Sequence, residues 1–462
     1  MAIPKYDSES RALAHQIVDA MFDHVDNVAN GPVVEWRSSA ELASLVSLDS
    51  GGPDAFGVAP GASAVDLVNL LARHSNHLHH PSYMGHQVCP PFPSAAIGDY
   101  VISVLNQSTA VWEMSPIATM IEKEIIRWLA GRAGYPAEAE GTAVSGGSAA
   151  NLTALLAARA HWAHHARGER PVILTSADAH YSIARAAAIM GIAAEDVIKI
   201  PTDEGHRMEV GELAAAIEAI EERDASVLAI VATAGSTATG SFDDLEAVAR
   251  LRDRHQTWLH VDAAHGASVL LSDSLRHLVR GLDRADSLAW DPHKTLWMPL
   301  SLGVVLVREG SWLRRAFDAD APYLFDATRA SDNLGEMTIQ CSKRADAIKL
   351  WLTLKTLGTA PFTESLEKVT AVTRYLYERV RDSEDFEPMH EPQFNIFCFR
   401  YRGSDALNAD IRERVIRSGE AWITATVLKG RRVLRVTMIN PATEREHVDA
   451  MLETVRRMAS SE

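Results

Sequence analysis

Between about residue 94 and residue 310 the sequence alternates short apolar runs with longer stretches of helical periodicity. Candidate strands are Thr142–Val144, Val172–Thr175, Val197–Ile200, Val227–Thr233, Trp258–Asp262, Ser287–Trp290 and Gly303–Val307. Candidate helices lie between most of them: Ala149–Arg167, Ser182–Met190, Gly211–Arg223 and Asp243–His255. Short runs that are apolar throughout, rather than alternating, need cover on both faces. The pattern therefore predicts an α/β domain on a mostly parallel, doubly covered, seven-stranded sheet.

The flanks read differently. Over residues 8–28, Leu13, Ile17, Met21, Phe22 and Val25 recur at helical spacing. Gly and Pro break residues 31–62 into an irregular arm, and a second helix follows at roughly 64–77. This N-terminal segment has little core of its own and needs another surface to bury its apolar face. After Lys343 a helical pattern runs to Leu357 and is closed by Gly358; another helix covers Pro361–Arg381. Short strands at Ile396–Arg400 and Val433–Thr437 and a last helix from Thr443 complete an α+β region. The expected division is an N-terminal helical segment (1–85), a large α/β domain (86–345) and a small α+β C-terminal domain (346–462).

Charge narrows the function. The 462 residues include 45 Lys plus Arg against 61 Asp plus Glu, a net charge of −16. That balance argues against nucleic acid and against an anionic membrane surface as partners. No apolar stretch of ~18 residues appears, and Met1–Ser10 holds no signal core. Three scattered cysteines, Cys89, Cys341 and Cys398, form neither a disulfide framework nor a CxxC metal site. A reducing, cytoplasmic setting fits.

Parallel α/β sheets bind ligands at the carboxyl ends of their strands. Four strand ends carry polar groups. Ser287–Trp290 ends in Asp291-Pro292-His293-Lys294, where Pro292 fixes the turn and presents Lys294. Trp258–Asp262 ends in a carboxylate that, once buried, needs a cationic partner. Thr142–Val144 leads through Ser145-Gly146-Gly147-Ser148 into a helix, an arrangement suited to phosphate. Val172–Thr175 is followed by His180, placed to stack on a flat ring. Each has a plain structural account on its own: a solvated lysine, a helix cap, a turn, a surface histidine. Together they supply a phosphate cradle, a stacking ring, an acid for a pyridinium nitrogen and an amine, which is the set pyridoxal phosphate (PLP) requires.

The stretches "HVDAAHG", "DPHKT" and "SGGSAANLTALLAARA" resemble the core motifs of the group II PLP-dependent amino-acid decarboxylases, of PLP fold type I. "HHPSYMGHQVCPP", "WEMSPIATMIEKEIIRWL" and "IQCSKRADAIKLWLTLKTLG" look most like bacterial 2,4-diaminobutyrate decarboxylases. The resemblance implies the PLP-dependent transferase-like fold. It also implies roles: Lys294 forms the internal aldimine, His293 binds phosphate, Asp262 pairs with the pyridinium nitrogen, Ala264 packs on the ring and His180 stacks opposite. Gly147 and Ser148 bind phosphate with Ser145 and Gly146 close by, and Thr237 lies near cofactor and substrate. Arg435, in "LRVTMINP", matches an arginine that binds substrate carboxylate. Tyr83, His86 and Gln87, in "HPSYMGHQ", become candidates for the substrate pocket, so the nearby His74, His77, His79 and His80 are not expected to hold a metal.

The implied reaction is α-decarboxylation of an L-amino acid to its amine through a Lys294 aldimine and a quinonoid. Aromatic amino-acid decarboxylases protonate Cα with a loop tyrosine. Here Asp326–Gln340 contains none; Leu334 falls near that position, and the nearest candidates are Tyr323 and His180. Loss of that tyrosine keeps a decarboxylation-dependent oxidative deamination to an aldehyde open as an alternative. An aminotransferase and a non-catalytic PLP-fold protein are further readings. The family is a homodimer with exchanged N-terminal helices and active sites at the subunit interface, which gives the segment 1–85 its missing surface.

Overall fold

The computed structural model describes residues 5–46, 63–166, 168–222, 224–318, 321, 325 and 332–460. The chain forms two compact units. One comprises Gln87–Tyr377 and His390–Phe397; the other comprises Met1–His86, Glu378–Met389 and Cys398–Glu462.

The larger unit is built on seven strands: β1 (Glu140–Val144), β2 (Arg170–Ser176), β3 (Val197–Ile200), β4 (Ala225–Thr233), β5 (Trp258–Asp262), β6 (Ser287–Trp290) and β7 (Gly303–Val307). Their order is β1-β7-β6-β5-β4-β2-β3. Strands β6, β5, β4, β2 and β3 are mutually parallel, and β7 alone runs antiparallel, between β6 and β1. Two reversals restore direction, so β1 points the same way as β6. The carboxyl ends of β1, β2, β4, β5 and β6 therefore share one edge of the sheet. Strands β5, β6 and β7 are buried at every residue, as a doubly covered sheet demands.

The helix Gly147–His165 crosses this sheet and touches β4 through β7. Its buried face is rich in small residues, Ala150, Ala154, Ala157 and Ala158 with Leu155. Small side chains let its backbone approach the strands closely. Lys343 and Glu122 pair inside the same unit at 2.5 Å, with Thr109, Thr142 and the Ala143 amide completing the carboxylate's contacts.

The smaller unit carries a four-stranded sheet, ordered β10-β11-β9-β8, with β8 Phe386–Pro388, β9 Ile396–Tyr401, β10 Thr424–Leu428 and β11 Arg431–Thr437. The sequence reading found β9 and β11 but not their short partners. Residues 82–84 are laced to its backbone: Trp422 N donates to Ser82 O, Met84 N to Trp422 O and Thr437 N to Met84 O. N-terminal helices span Ser8–Asn27 and Ala64–His74. The expectation of an irregular arm at 31–62 needs one correction. Ser39–Leu45 is helical, because Ser38 and Glu41 form a reciprocal capping box; residues 47–62 lie outside the described residues. None of the described helices is long and apolar enough to cross a membrane.

Candidate active site

The shared strand edge opens into a cavity of about 330 Å³. Its walls include Gly146, Gly147, Ser148, His180, Thr237, Asp262, Ala264, His293 and Lys294. These nine predicted positions come from five separate strand ends and meet in one place. Tyr83, His86, Gln87 and Arg435 are not among the lining residues, and Tyr323 lies outside the described residues. A larger cavity, about 940 Å³, is lined partly by residues at the opposite ends of β4 and β5, among them Ala225 and Trp258, and does not include Lys294.

Lys294 sits in a one-turn helix, Pro292–Thr295, that begins with proline where no amide hydrogen is needed. Thr295 Oγ1 donates to His265 O at 2.9 Å, and His293 Nδ1 donates to Leu302 O at 2.7 Å, so both neighbours of Lys294 are pinned. Burial lowers the basicity of the His293 ring, with Asp291 opposing the shift, and its Nε2 lies 3.7 Å from Asp291 Oδ2. The Lys294 ammonium lies 3.1 Å from Asp291 Oδ2. Asp291 is 1% exposed, and its Oδ1 has no hydrogen-bond partner.

At the end of β1, Gly146 has φ of +155° and the following helix has no side-chain cap. Its first amides are thus free for an anion. A Cβ on Gly147 would stand 2.9 Å from Asp291 Oδ2 and 3.0 Å from Ala264 Cβ; only glycine keeps this cradle open.

Asp262 is 7% exposed. Its Oδ2 accepts from Asn151 Nδ2 at 2.9 Å and its Oδ1 from Ala264 N at 3.2 Å. Both donors are neutral, and among the described residues no cationic side chain forms an ion pair with it. A buried carboxylate held this way suits a cationic ring nitrogen. Thr233 Oγ1, also on the cavity wall, is buried without a partner. His180 Nδ1 lies 2.8 Å from Ser182 Oγ; burial lowers this ring's basicity, with Asp262 pulling weakly the other way. The cavity therefore fits pyridoxal phosphate: an amine, a phosphate cradle, an uncompensated acid and a flat ring surround one space. Asn151, Ser182, His260 and Asp291, which support this wall, were not singled out as site residues in the sequence. Their only signal was proximity to strand ends, and Asn151 lacks even that.

Residues 64–402 match the family model described as the pyridoxal-dependent decarboxylase conserved domain. The chain belongs to the pyridoxal-dependent decarboxylase family. Its cofactor is accordingly pyridoxal phosphate, and its fold is that of these decarboxylases. It is similar to L-2,4-diaminobutyrate decarboxylase of Rhizobium meliloti (strain 1021), 33% identical over 98% of this chain and 93% of the relative. It is likewise similar to cysteine sulfinic acid decarboxylase of Homo sapiens, 33% identical over 93% of this chain and 87% of the relative. Among solved decarboxylase structures, that of mouse CSAD superimposes with a TM-score of 0.90 at 28% identity, covering 99% of this chain and 100% of that one.

Other predicted positions fall in the smaller unit. Arg435 is buried, which disfavours its charge; its Nη1 donates to Thr424 Oγ1 at 3.2 Å and its Nε has no partner. Burial also lowers the basicity of His86, with Arg435 adding to the effect, and pushes Tyr83 up to about 12. Gln87 opens the larger unit with a buried, partnerless Nε2. Both ring nitrogens of His77 face backbone carbonyls, Pro32 O and Ala72 O. His80 Nε2 faces Gly31 O, and its Nδ1 accepts from Ser82 N. Among the described residues no three His, Cys, Asp or Glu side chains converge as a metal site.

Proposed function

We propose that this decarboxylase converts an L-amino acid to the corresponding amine and CO₂, with Lys294 as the residue that carries the cofactor. The observation behind this reading is that Lys294 and a buried, cation-free Asp262 face one cavity. Bound there, pyridoxal phosphate supplies the electron sink for the pair left on Cα when CO₂ departs. Asp262 would hold the proton of the ring nitrogen. Gly146, Gly147, Ser148 and His293 Nε2 would hold the phosphate, and His180 and Ala264 would cover the two ring faces near Thr237. His180 is positioned to pass a proton toward Cα, with Tyr323 as the second candidate donor.

For the substrate we assign Arg435 to a carboxylate, and Tyr83, His86 and Gln87 stay candidates for substrate contact. A buried guanidinium with a partnerless Nε supports an anionic ligand. The amino acids in the relatives' names, 2,4-diaminobutyrate and cysteine sulfinic acid, differ in side-chain charge but share the α-carboxylate. Residues 1–85 would exchange between two protomers, with active sites at the interface of a cytoplasmic homodimer. Apolar residues exposed on the first helix, Val18 and Phe22 at 52% each, support a covering partner.

A panel of amino acids, with CO₂, amine and peroxide quantified per turnover, tests the reaction. One amine per CO₂ without peroxide is expected. One aldehyde and one peroxide per CO₂ would instead establish the oxidative deamination, which the tyrosine-free stretch Asp326–Gln340 keeps as the second reading.

A further inference from the structure

Behind Asp262 the cavity wall holds a chain of buried polar side chains. Trp258 Nε1 donates to Ser287 Oγ at 2.8 Å, and Ser287 Oγ lies 2.9 Å from His260 Nδ1. His260 Nε2 lies 2.9 Å from Asn151 Oδ1. Asn151 Nδ2 donates to Asp262 Oδ2 and to Ser182 Oγ, both at 2.9 Å. Ser182 Oγ in turn meets His180 Nδ1 at 2.8 Å. Trp258, Ser287, His260, Asn151 and Ser182 are all buried, so no bulk water stands in for a missing partner.

One direction satisfies every side-chain link. An indole nitrogen only donates, so Ser287 Oγ accepts from Trp258. The single Ser287 hydrogen then goes to His260 Nδ1. Burial holds the His260 ring neutral, down to about 4, so its one hydrogen sits on Nε2 and goes to Asn151 Oδ1. That contact turns the Asn151 amide so that both Nδ2 hydrogens face Asp262 and Ser182. Ser182 Oγ, accepting from Asn151, gives its own hydrogen to His180 Nδ1, which also accepts from Ser182 N at 3.3 Å. The His180 hydrogen is left on Nε2. Reversing the chain would make Trp258 and His260 both donate to Ser287, strand the serine hydrogen and require a hydrogen on Asp262.

We propose that Asn151, polarised through Trp258, Ser287 and His260, is a positioning residue that holds Asp262 as an acceptor and His180 as its Nε2–H tautomer at once. The inference rests on the cofactor pocket proposed above. One amide thereby couples the group that keeps the ring nitrogen protonated to the imidazole assigned to the ring face. Neither histidine contributes its tautomer independently.

The direction is read from wild-type holoenzyme labelled with ¹⁵N-histidine. His260 and His180 are both expected as Nε2–H tautomers with unprotonated Nδ1; an Nδ1–H ring at either residue overturns the inference. Asn151→Ala is expected to move the His180 ring shifts toward those of an imidazole exchanging between tautomers, and unchanged shifts overturn it. His260→Leu should weaken pyridoxal phosphate binding by up to about tenfold, the range for a lost neutral hydrogen bond felt at Asp262 through Asn151. His260→Gln keeps a donor and should recover most of that loss; equal loss in both variants would mean packing alone, and no loss in either would also sink the idea. Asp262→Ala separates the two levels. If it leaves cofactor affinity intact, the pocket assignment fails; if it weakens binding while the Asn151 and His260 variants do not, only the positioning role fails.

Discussion

Lys294 and Asp291 stand three residues apart on one turn, and their side chains meet at 3.1 Å. Asp291 therefore holds the ammonium at the cavity wall, where the role proposed for Lys294 needs the cofactor's carbonyl carbon to arrive. Lys294→Ala is expected to abolish the visible absorption band of the holoenzyme and to lower kcat/KM by more than about 10³-fold; spectra and CO₂ release check it. His260 gives a pH prediction. Its folded-state basicity is depressed to about 4 from a usual 6.5, by burial. Its neutral form thus contributes stability that is complete above pH 6.5 and is lost as pH falls toward 4, at no more than about 1.4 kcal/mol per pH unit. Urea unfolding at pH 7 and pH 5 should show a smaller drop in stability for His260→Gln than for wild type. Lys294, Asp262 and His180 were legible as candidates in the sequence because Asp262 closes a strand-like run and the other two closely follow one. Asn151 was not, because its partner Asp262 lies 111 positions away. Only the packing of helix on sheet brings them together, and no local pattern encodes that distance.

Elements set what these residues can do. The helix Gly147–His165 starts where Gly147 leaves room beside Ala264 and Asp291. Gly147→Ala should keep the fold yet weaken pyridoxal phosphate binding by about tenfold, through a displaced carboxylate and a narrowed cradle; titration of the apoenzyme measures it. The helix Pro116–Arg132 is tied in by the buried Glu122–Lys343 pair. Lys343→Met would leave a buried carboxylate without its cation and should destabilise by about 3–5 kcal/mol. Converting Glu122 to Leu as well should restore most of that, as denaturation midpoints would show. The buried strands of the large sheet were legible because they are apolar throughout. Strands β8 and β10 were not. One has three residues and the other carries three successive partly or fully exposed residues at its centre, so neither leaves a clear periodic trace. The helix Ser39–Leu45 escaped because its start is set by a seryl cap, not by apolar spacing.

At the scale of the whole molecule, exposed apolar side chains bear on the proposed dimer. Phe22, Leu71, Ile117 and Met120 are all exposed. A dimer is expected in sedimentation at micromolar concentration, and Phe22→Glu should shift it toward monomer; a wild-type monomer loaded with cofactor would overturn the exchange of residues 1–85. The large sheet also has a timetable. Strand β1, which leads into the Ser145–Ser148 turn proposed to bind phosphate, lies at the sheet edge and pairs with β7, the last strand of this sheet to be made. A ribosome must therefore release Val307 before β1 has a strand to pair with. Nascent chains stalled between Lys294 and Val307 should own the proposed cofactor lysine and yet retain no vitamin B6, whereas chains stalled well beyond the β7 segment should begin to capture it. Cofactor loading would then be a late event of biosynthesis, set by the place of one antiparallel strand in the chain.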